Sequence, residues 1–317
     1  MKTIIGHDIQ KAAELLRGGE LVEIPTETVY GLAANALDAD AVVKIFEAKD
    51  RPYFDPLIVH LHSFAEAEKH VTTIPLWAEK LAKHFCPGPI TFVLPKKPII
   101  PDIVTSGLDT VGIRIPDHPL TQELLRILNI PLAAPSANPF GYISPTTAEH
   151  VNAQLGGKIP YILDGGECKV GVESTIIGEK YGKPVILRLG GISVEQVREV
   201  IGDVKIVTHS AGQPLSPGSL ESHYSPKKKL IYDDFSDWDN YPADKKAVIA
   251  FSKPMKELSL SQQRILSSTR DLHEAAKNLF GAMRELDGLS VDAIFAEKVP
   301  DEGIGRAIND RLRRASS

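Results

Sequence analysis

The chain has 317 residues, of which 43% are hydrophobic and 24% are charged, and its formal net charge is −5. These proportions are typical of a globular protein and exclude the disordered and fibrous classes, while the length favours two domains. Neither residues 1–220 nor residues 221–317 carry an excess of Lys and Arg, so bulk charge does not support a large nucleic-acid footprint.

Apolar strand-like runs alternate with helix-like patterns through the first two thirds of the chain. The runs predict strands over 20–24, 57–61, 91–94, 111–115, 132–134, 161–163, 174–177 and 185–189. The helical periodicity predicts helices over 9–17, 39–49, 76–84, 120–128, 146–155 and 194–201. So many strands exclude an all-α fold and predict an α/β or α+β domain over residues 1–208, built on a mixed sheet.

A change of composition follows this domain. Residues 209–229 are rich in Pro, Gly and Ser and have no periodicity, which is typical of an interdomain linker. Beyond it, the pattern predicts strands over 229–232 and 247–251 and helices over 272–286 and 304–313. We therefore expect a small second α/β domain over residues 230–317.

The sequence has no clear signal for a transmembrane helix, a signal peptide or a set of disulfide bonds. The charge-free stretch 130–148 is interrupted by four prolines, so no transmembrane helix is predicted. Lys2 and Asp8 interrupt the N-terminus before an apolar region of signal-peptide length can form, and we expect a cytoplasmic protein. Only Cys86 and Cys168 are present, which excludes a disulfide framework and a four-cysteine zinc site.

The common nucleotide-binding and metal-binding motifs are absent. There is no Gly-rich loop ending in Gly-Lys-Ser/Thr and no three-glycine dinucleotide turn. His60 and His62 would share one face of a strand, but no third ligand type lies nearby in the sequence. No protein metal site is therefore predicted.

Cationic side chains are embedded in apolar strands. Arg114 interrupts VGIRIP, Arg188 interrupts VILRL, and His60 ends PLIVH. A lone charge near a core costs roughly several kcal/mol unless an anion meets it. Each arginine taken singly could form an internal salt bridge or point to water from an edge strand. Because several occur in one domain, we expect them to converge on one cavity and to meet the anionic groups of a ligand there.

Two further patterns suit a polar, anionic ligand. Lys49 and Arg51 lie two residues apart in a segment bounded by prolines, an arrangement that favours a polyphosphate. Loops at 25–32, 135–141 and 171–175 place Ser or Thr beside residues that form tight turns. Solvated surface loops and hydroxyl-capped turns are the alternative interpretations of these patterns.

Six segments together resemble the YrdC-domain family of threonylcarbamoyl-AMP synthases. In chain order they are PTETVYGL (25–32), KDRP with PLIVH (49–60), CPGPIT (86–91), TVGIRIP (110–116), PSAN (135–138) and ESTI (173–176). The linker SHYSP (222–226) and the segment GIGRAINDRL (303–312) are similar to the two-domain form of that family. The resemblance implies a twisted mixed sheet with an open concave pocket, followed by a smaller Rossmann-like domain.

The same resemblance implies an activity and a set of site residues. The enzyme would join L-threonine, bicarbonate and ATP into threonylcarbamoyl-adenylate and release pyrophosphate, with Mg²⁺ accompanying ATP and without dedicated protein ligands. The product would serve the modification of tRNA, so tRNA and tRNA-modification proteins are further implied partners. By resemblance, the residues that would contact threonine are Thr28, His60, Arg114, Ala134 and Ser174. Those on the ATP side would be Lys49, Arg51, Asp55, Thr110, Ser136, Ser144, Arg188 and Tyr224, with Lys49 and Arg51 taking the catalytic role.

Two other functions stay open at the level of sequence. One is a non-catalytic RNA-binding module, which the acidic balance of residues 1–220 disfavours. The other is a related carbamoyl-transfer enzyme, which usually carries zinc-finger and acylphosphatase segments that are missing here. The sequence also leaves open whether residues 230–317 steady the linker or bind a partner.

Overall fold

The structure is a computed structural model that describes residues 2–207 and 224–316. Within these ranges the strands are β1 Ile4–Gly6, β2 Val22–Ile24, β3 Gly31–Asn35, β4 Ile58–His60, β5 Ile90–Pro95, β6 Thr110–Arg114, β7 Leu132–Ala133, β8 Tyr161–Leu163, β9 Thr175–Lys180, β10 Lys183–Arg188, β11 Lys205–Ile206, β12 Lys229–Tyr232, β13 Lys246–Ala250, β14 Gln263–Ile265 and β15 Ala293–Ala296. The α-helices are α1 Ile9–Arg17, α2 Ala39–Lys49, α3 Leu76–Phe85, α4 Asp102–Thr105, α5 Pro119–Leu128, α6 Ala148–Leu155, α7 Val194–Ile201, α8 Leu272–Asp287 and α9 Gly305–Ala315.

Two sheets organise the described residues. The larger has the order β1-β8-β2-β3-β7-β4-β6-β5-β9-β10-β11 and is mixed, since β4 pairs parallel with β6 whereas β5 pairs antiparallel with β6. The smaller has the order β12-β15-β13-β14 and is parallel throughout. The expected α/β (α+β) class is confirmed, with a mixed sheet followed by a smaller Rossmann-like unit.

The predicted domain boundaries are 1–208, 209–229 and 230–317. Strands of the larger sheet lie between residues 4 and 206, and those of the smaller sheet between residues 229 and 296. Most of the predicted linker lies outside the described residues, so its boundaries stay a prediction. No helix in the described ranges has the length and apolar character needed to cross a bilayer.

Helix ends agree well with the sequence patterns because local capping determines them. Asp8 and Asp38 accept hydrogen bonds from backbone N–H groups in the first turns of α1 and α2, and Ser193 forms a capping box with Gln196 at α7. Strand β3 was not predicted, because GLAAN contains no β-branched or aromatic residue. It is a strand because β2 and β7 pair with it on either side.

The sheet brings distant segments together at one place. In the register of the larger sheet, Arg114 at the end of β6 lies beside His60 on β4 and Thr91 on β5. The C-terminal unit covers this region, because helices α8 and α9 share one apolar cluster with Val29, Ile143 and Val172. The candidate site is therefore built from both parts of the chain.

Candidate active site

A cavity of about 50 Å³ lies at the carboxyl ends of β4 and β6. We call it the arginine cavity. Its walls are formed by Thr26, Val29, Tyr30, Gly31, Arg51, Ile58, His60, Arg114, Ala134, Pro135, Ser136, Glu173, Arg188 and Tyr224. Seven of the residues that the sequence predicted are in this wall: Arg51, His60, Arg114, Ala134, Ser136, Arg188 and Tyr224. The expected convergence of cations on one cavity is confirmed.

Arg114 is anchored to the loop that follows β2. Its Nη2 donates to Glu27 Oε1 at 2.8 Å and to Thr28 Oγ1 at 2.7 Å. Its Nε is buried and has no hydrogen-bond partner among the described residues. Because buried N–H groups are nearly always paired in native proteins, this donor indicates a missing polar partner at the cavity wall.

Arg51 follows the C-terminus of α2. Asp50 adopts a left-handed conformation with φ 52°, and the Arg51 N–H donates back to Phe46 O at 2.9 Å, which ends the helix. The Arg51 Nε donates to Asp55 O at 3.1 Å and its Nη2 to Pro56 O at 3.0 Å. Arg51 Nη2 also lies 2.8 Å from Asp55 Oδ2.

The internal salt bridge that the sequence left open for a single arginine is present at Arg51 and at Arg114. Each has an internal carboxylate, from Asp55 and Glu27 respectively, and all four side chains are buried. The physical reason is the desolvation penalty of a lone buried charge, which the fold offsets with a counter-charge even when no ligand is bound. Internal pairing and a place in the cavity wall occur together here.

Arg188 and Ser174 connect the two predicted halves of the site. The Arg188 Nε donates to Ser174 O at 3.1 Å and its Nη2 to Ser174 Oγ at 3.0 Å. The Thr91 Oγ1 lies 2.7 Å from the same Ser174 hydroxyl. Burial lowers the pKa of Arg188 to about 10, so its guanidinium stays charged at neutral pH. A residue predicted for ATP and one predicted for threonine are thus in direct contact.

Lys49 has a different position from the one expected of a phosphate ligand. Its ammonium donates to the backbone carbonyls of Ser136 and Asn138, and its side chain is buried outside the cavity wall. Burial, together with the nearby charge of Arg51, lowers the pKa of Lys49. These contacts indicate that Lys49 positions the Ser136 loop, and its assignment to the triphosphate stays a prediction.

His60 is a buried, neutral imidazole. Its Nδ1 donates to Ile58 O at 3.2 Å. Burial and the neighbouring Arg114 charge lower the pKa of His60 to about 3. A group with that pKa is a poor general base at neutral pH, so His60 suits hydrogen bonding to a ligand better than proton abstraction.

The segment after β7 forms another wall. Ala134 N–H donates to Ile58 O at 3.0 Å, and Ser136 pairs with Gly31 in an isolated bridge. A Cβ at Gly31 would lie 3.3 Å from the Ala134 Cβ, closer than an ordinary van der Waals contact. The glycine of the sequence PTETVYGL therefore allows these two segments to approach.

The remaining predicted residues lie behind or beyond the wall. Thr28 does not line the cavity but accepts a hydrogen bond from Arg114, which does. Ser174 is bonded in the same way to Arg188, and Ser144 donates to Glu173 at 2.6 Å. Asp55 is already paired with Arg51, and burial raises its pKa. Asp55 is better suited to hydroxyl donors than to phosphate oxygens.

Thr110 lies away from the arginine cavity. It begins β6, where strand alternation places Thr110, Gly112 and Arg114 on one face of the sheet. Thr110 lines two other cavities, of about 10 Å³ and about 520 Å³, and the larger one is walled mainly by apolar groups such as Trp77 and Leu187. The sheet face from Arg114 to Thr110 thus passes from a cationic to an apolar surface.

Three important residues were not predicted as site residues. Glu27 and Glu173 lie within the hydroxyl loops and carry the counter-charges, and Arg311 reaches the site from α9. Glu173 lines the cavity. Burial by itself would raise the pKa of Glu173, but the charges of Arg311 and Arg188 outweigh burial and lower it to about 2. The acidic residue beside Ser or Thr in both loops was the available signal.

Within residues 2–207 and 224–316, no group of three or more His, Cys, Asp or Glu side chains is arranged to hold a metal ion. His62 is instead paired with Glu66, with 2.7 Å between Nδ1 and Oε2.

Comparisons with known proteins find relatives for both parts of the chain. The Sua5/YciO/YrdC family model, described as telomere recombination, matches residues 14–190, and a model described as the threonylcarbamoyl-AMP synthase C-terminal domain matches residues 192–317. A threonylcarbamoyl-AMP synthase of Pyrococcus abyssi is 42% identical over 97% of this chain and 94% of the relative. One of Bacillus subtilis is 42% identical over 97% of this chain and 92% of the relative.

The fold comparison gives the same result. The crystal structure of P. abyssi Sua5 complexed with L-threonine superposes with a TM-score of 0.91 and 40% identity, covering 99% of this chain and 97% of that one. Both parts of the chain thus have counterparts in known proteins. The chain belongs to the Sua5/YciO/YrdC family, as a two-domain member of the threonylcarbamoyl-AMP synthases.

Proposed function

We propose that this enzyme condenses L-threonine, bicarbonate and ATP into threonylcarbamoyl-adenylate and pyrophosphate, as an activated intermediate for tRNA modification. The observation that supports this most directly is the convergence of Arg51, Arg114 and Arg188 with His60 and Ser136 on one cavity. An amino acid and a nucleoside triphosphate each carry anionic groups that such a wall can bind. The threonine complex of the P. abyssi relative supports the choice of amino acid.

Arg114 would bind the threonine carboxylate. Its Nη2 is held by Glu27 and Thr28, so the guanidinium plane is fixed and the buried Nε remains as a donor for one carboxylate oxygen. The threonine hydroxyl would bind among Thr28 and Ser174. A site that hydrogen-bonds a hydroxyl rejects an analogue without it, because its own polar groups are left unpaired. We expect valine to be a poor substrate.

The nucleotide would extend along the face of β6. Arg51 and Arg188 would lie at the phosphate end, and Thr110 would lie at the apolar end, beside the larger cavity. Thr110 and Arg114 are four positions apart along the strand, which corresponds to roughly 13 Å. Gly112 lies between them, and because it has no side chain it leaves room for a ligand on that face of the strand.

The reaction would proceed in two bond-forming steps. The threonine amine attacks the carbon of bicarbonate, forming an N–C bond while hydroxide leaves and takes up the amine proton as water. If bicarbonate first loses hydroxide to give CO2, the amine adds to a C=O bond of CO2, nothing further leaves the carbon, and the amine proton passes to solvent. A carbamate oxygen then attacks the α-phosphorus of ATP, and the bond to the bridging oxygen breaks, so that pyrophosphate leaves with the Mg²⁺ that accompanied ATP. Holding three reactants in line can lower the barrier by as much as ~7–11 kcal/mol. Fixed arginines would stabilise the charge that develops on the phosphate oxygens.

The decisive test is an omission experiment. Purified protein with MgATP should release pyrophosphate at a high rate only when L-threonine and bicarbonate are both present, and mass spectrometry should detect threonylcarbamoyl-adenylate. Replacement of L-threonine by L-valine should lower kcat/KM by about 10²-fold or more. Pyrophosphate release that does not depend on threonine would refute the proposal, and salt-dependent RNA binding without any pyrophosphate release would favour the RNA-binding alternative.

A further inference from the structure

Arg311 of helix α9 is the largest fully buried side chain of the described residues, with 0% exposure. It belongs to the C-terminal unit, yet three of its contacts reach segments that carry predicted substrate residues. The Nε donates to Glu173 Oε2 at 2.8 Å, and Nη2 donates to Leu189 O at 2.9 Å. The guanidinium carbon lies 5.1 Å from the centre of the Tyr224 ring.

Each of these contacts lies next to, or on, a residue of the candidate site. Glu173 precedes Ser174 and lines the arginine cavity, Leu189 follows Arg188, and Tyr224 itself lines the cavity. The second oxygen of Glu173 accepts a hydrogen bond from Ser144 at 2.6 Å, which adds the Ser144 segment to the same network. One guanidinium thus connects four separate stretches of chain.

Arginine is the side chain that can make all of these contacts at once. Its planar fork directs Nε and Nη2 to two different acceptors, while Nη1 donates to Asp310 Oδ2 at 2.8 Å and the flat face lies against an aromatic ring. A lysine ammonium is a single point charge and cannot hold acceptors on two separate segments in fixed directions.

We infer that Arg311 is a positioning residue for catalysis, through which the C-terminal domain holds the nucleotide side of the active site in its working geometry. Three of the connected residues, Ser144, Arg188 and Tyr224, belong to the predicted ATP side. On the threonine side, Ser174 follows the Arg311 partner Glu173 in the chain. Arg114 and His60, which line the cavity, make no contact with Arg311 among the described hydrogen bonds and ion pairs. Loss of Arg311 should therefore affect ATP far more than threonine. The inference rests on the proposed function.

The test is the kinetic effect of Arg311→Gln, measured as pyrophosphate release with ATP and threonine varied separately. We expect the KM for ATP to rise about tenfold or more and the KM for threonine to change by less than about threefold. Arg311→Lys should give an intermediate rise in the KM for ATP. Arg306→Gln is the matched control, because Arg306 lies on the same helix and pairs with Glu195 of α7, away from the cavity. It should leave both KM values within about twofold of wild type.

Two further variants distinguish a positioning role of Arg311 from a purely structural role. Phe295→Leu weakens the C-terminal sheet in an apolar cluster separate from the one that includes helix α9, so it should lower stability without the selective rise in the KM for ATP. Glu173→Gln combined with Arg311→Gln removes both charges, and its effect on the KM for ATP should be smaller than the sum of the single effects. If Arg311→Gln does not fold, the KM values for ATP and threonine are measured in this double variant and in Arg311→Lys instead.

Outcomes that overturn the inference are distinct from failure of the proposed function. A folded Arg311 variant with an unchanged KM for ATP, equal rises in both KM values, or the same selective rise in Phe295→Leu would each refute it. If the wild-type chain itself makes no threonine-dependent pyrophosphate, the proposed function fails instead.

Discussion

Glu27 and Arg114 form a buried ion pair in the wall of the arginine cavity, with 2.8 Å between Glu27 Oε1 and Arg114 Nη2. The other Glu27 oxygen accepts a hydrogen bond from Asp117 N–H at 2.9 Å, so the carboxylate is fixed at both ends. This arrangement holds the guanidinium in one orientation before any substrate arrives. Preorganised charge of this kind lowers the free energy needed to orient groups during the reaction.

Removal of the Arg114 charge should therefore affect both folding and threonine binding. Arg114→Met leaves the Glu27 carboxylate buried and unpaired, and we expect a loss of about 3–5 kcal/mol in the free energy of unfolding. The Kd for L-threonine, measured by calorimetry, should rise by at least about 100-fold while the Kd for ATP changes little. Arg126→Met, at an exposed position of α5, should change stability by less than about 0.5 kcal/mol. Weakened ATP binding with intact threonine affinity would contradict the assignment.

Lys49 gives a prediction that separates positioning from direct phosphate contact. Lys49→Met leaves the buried carbonyls of Ser136 and Asn138 without their donor, so the free energy of unfolding should fall by about 2 kcal/mol or more, and kcat/KM should fall with it. Lys44→Met, on the half-exposed face of the same helix, serves as the control for urea denaturation. A variant of unchanged stability that loses only ATP affinity would restore the phosphate-binding interpretation.

His60 should make stability depend on pH below neutrality. Its pKa is about 3 in the folded protein and about 6.5 in the unfolded chain. Between these values the unfolded chain binds a proton that the folded protein does not. Stability should therefore be fully present above pH 6.5 and fall as the pH decreases towards 3, by a total on the order of 5 kcal/mol. Denaturation of wild type and His60→Gln at pH 7.5, 6, 5 and 4 measures this as a smaller slope in the variant, and equal slopes would argue against a buried neutral imidazole.

Glu173 should also make stability depend on pH, but at lower pH. The cause differs from that at His60, because at Glu173 the charged form is the one that the folded protein stabilises. Burial by itself would raise its pKa, but Arg311 and Arg188 outweigh burial and hold it at about 2. Its folded-state pKa is thus depressed, so its contribution is present above about pH 4.5 and is lost as the pH falls towards 2, about 3 kcal/mol in all. The stability difference between wild type and Glu173→Gln should shrink over that window. Glu14→Gln, exposed on α1, should show a pH-independent difference near zero.

Gly112 tests the proposed path of the nucleotide. A Cβ at this position would lie 3.3 Å from Thr91 Cγ2 and 3.4 Å from Ile58 Cγ1, so Gly112→Ala crowds the face between Arg114 and Thr110. We expect the KM for ATP to rise about threefold to tenfold with little change for threonine. Gly281→Ala in helix α8, where the added methyl meets no atom within 4 Å, should leave kinetics unchanged and stabilise the helix by up to about 1 kcal/mol. An equal effect on both substrates in Gly112→Ala would place the nucleotide elsewhere.

Much of the fold was predictable because its signals are local. Helices α1, α2 and α7 begin and end where their periodicity predicted, and the side-chain caps that fix their first turns act within one turn of helix. Strands β1, β3, β11, β14 and β15 were not predicted, because pairing with neighbouring strands, rather than an apolar alternation, makes them strands.

For the site, the sequence by itself determined which cations and hydroxyls are present and that several arginines lie within apolar strands. It also indicated that these arginines need counter-charges, because burying a lone charge is costly in any fold. Only the tertiary structure decided their partners. Arg114 meets Glu27 across 87 positions and Arg311 meets Glu173 across 138, and no local pattern encodes contacts of that separation. Sheet register and the packing of α9 against the large domain bring these charges within hydrogen-bond distance, where the Coulomb attraction becomes strong enough to offset their desolvation.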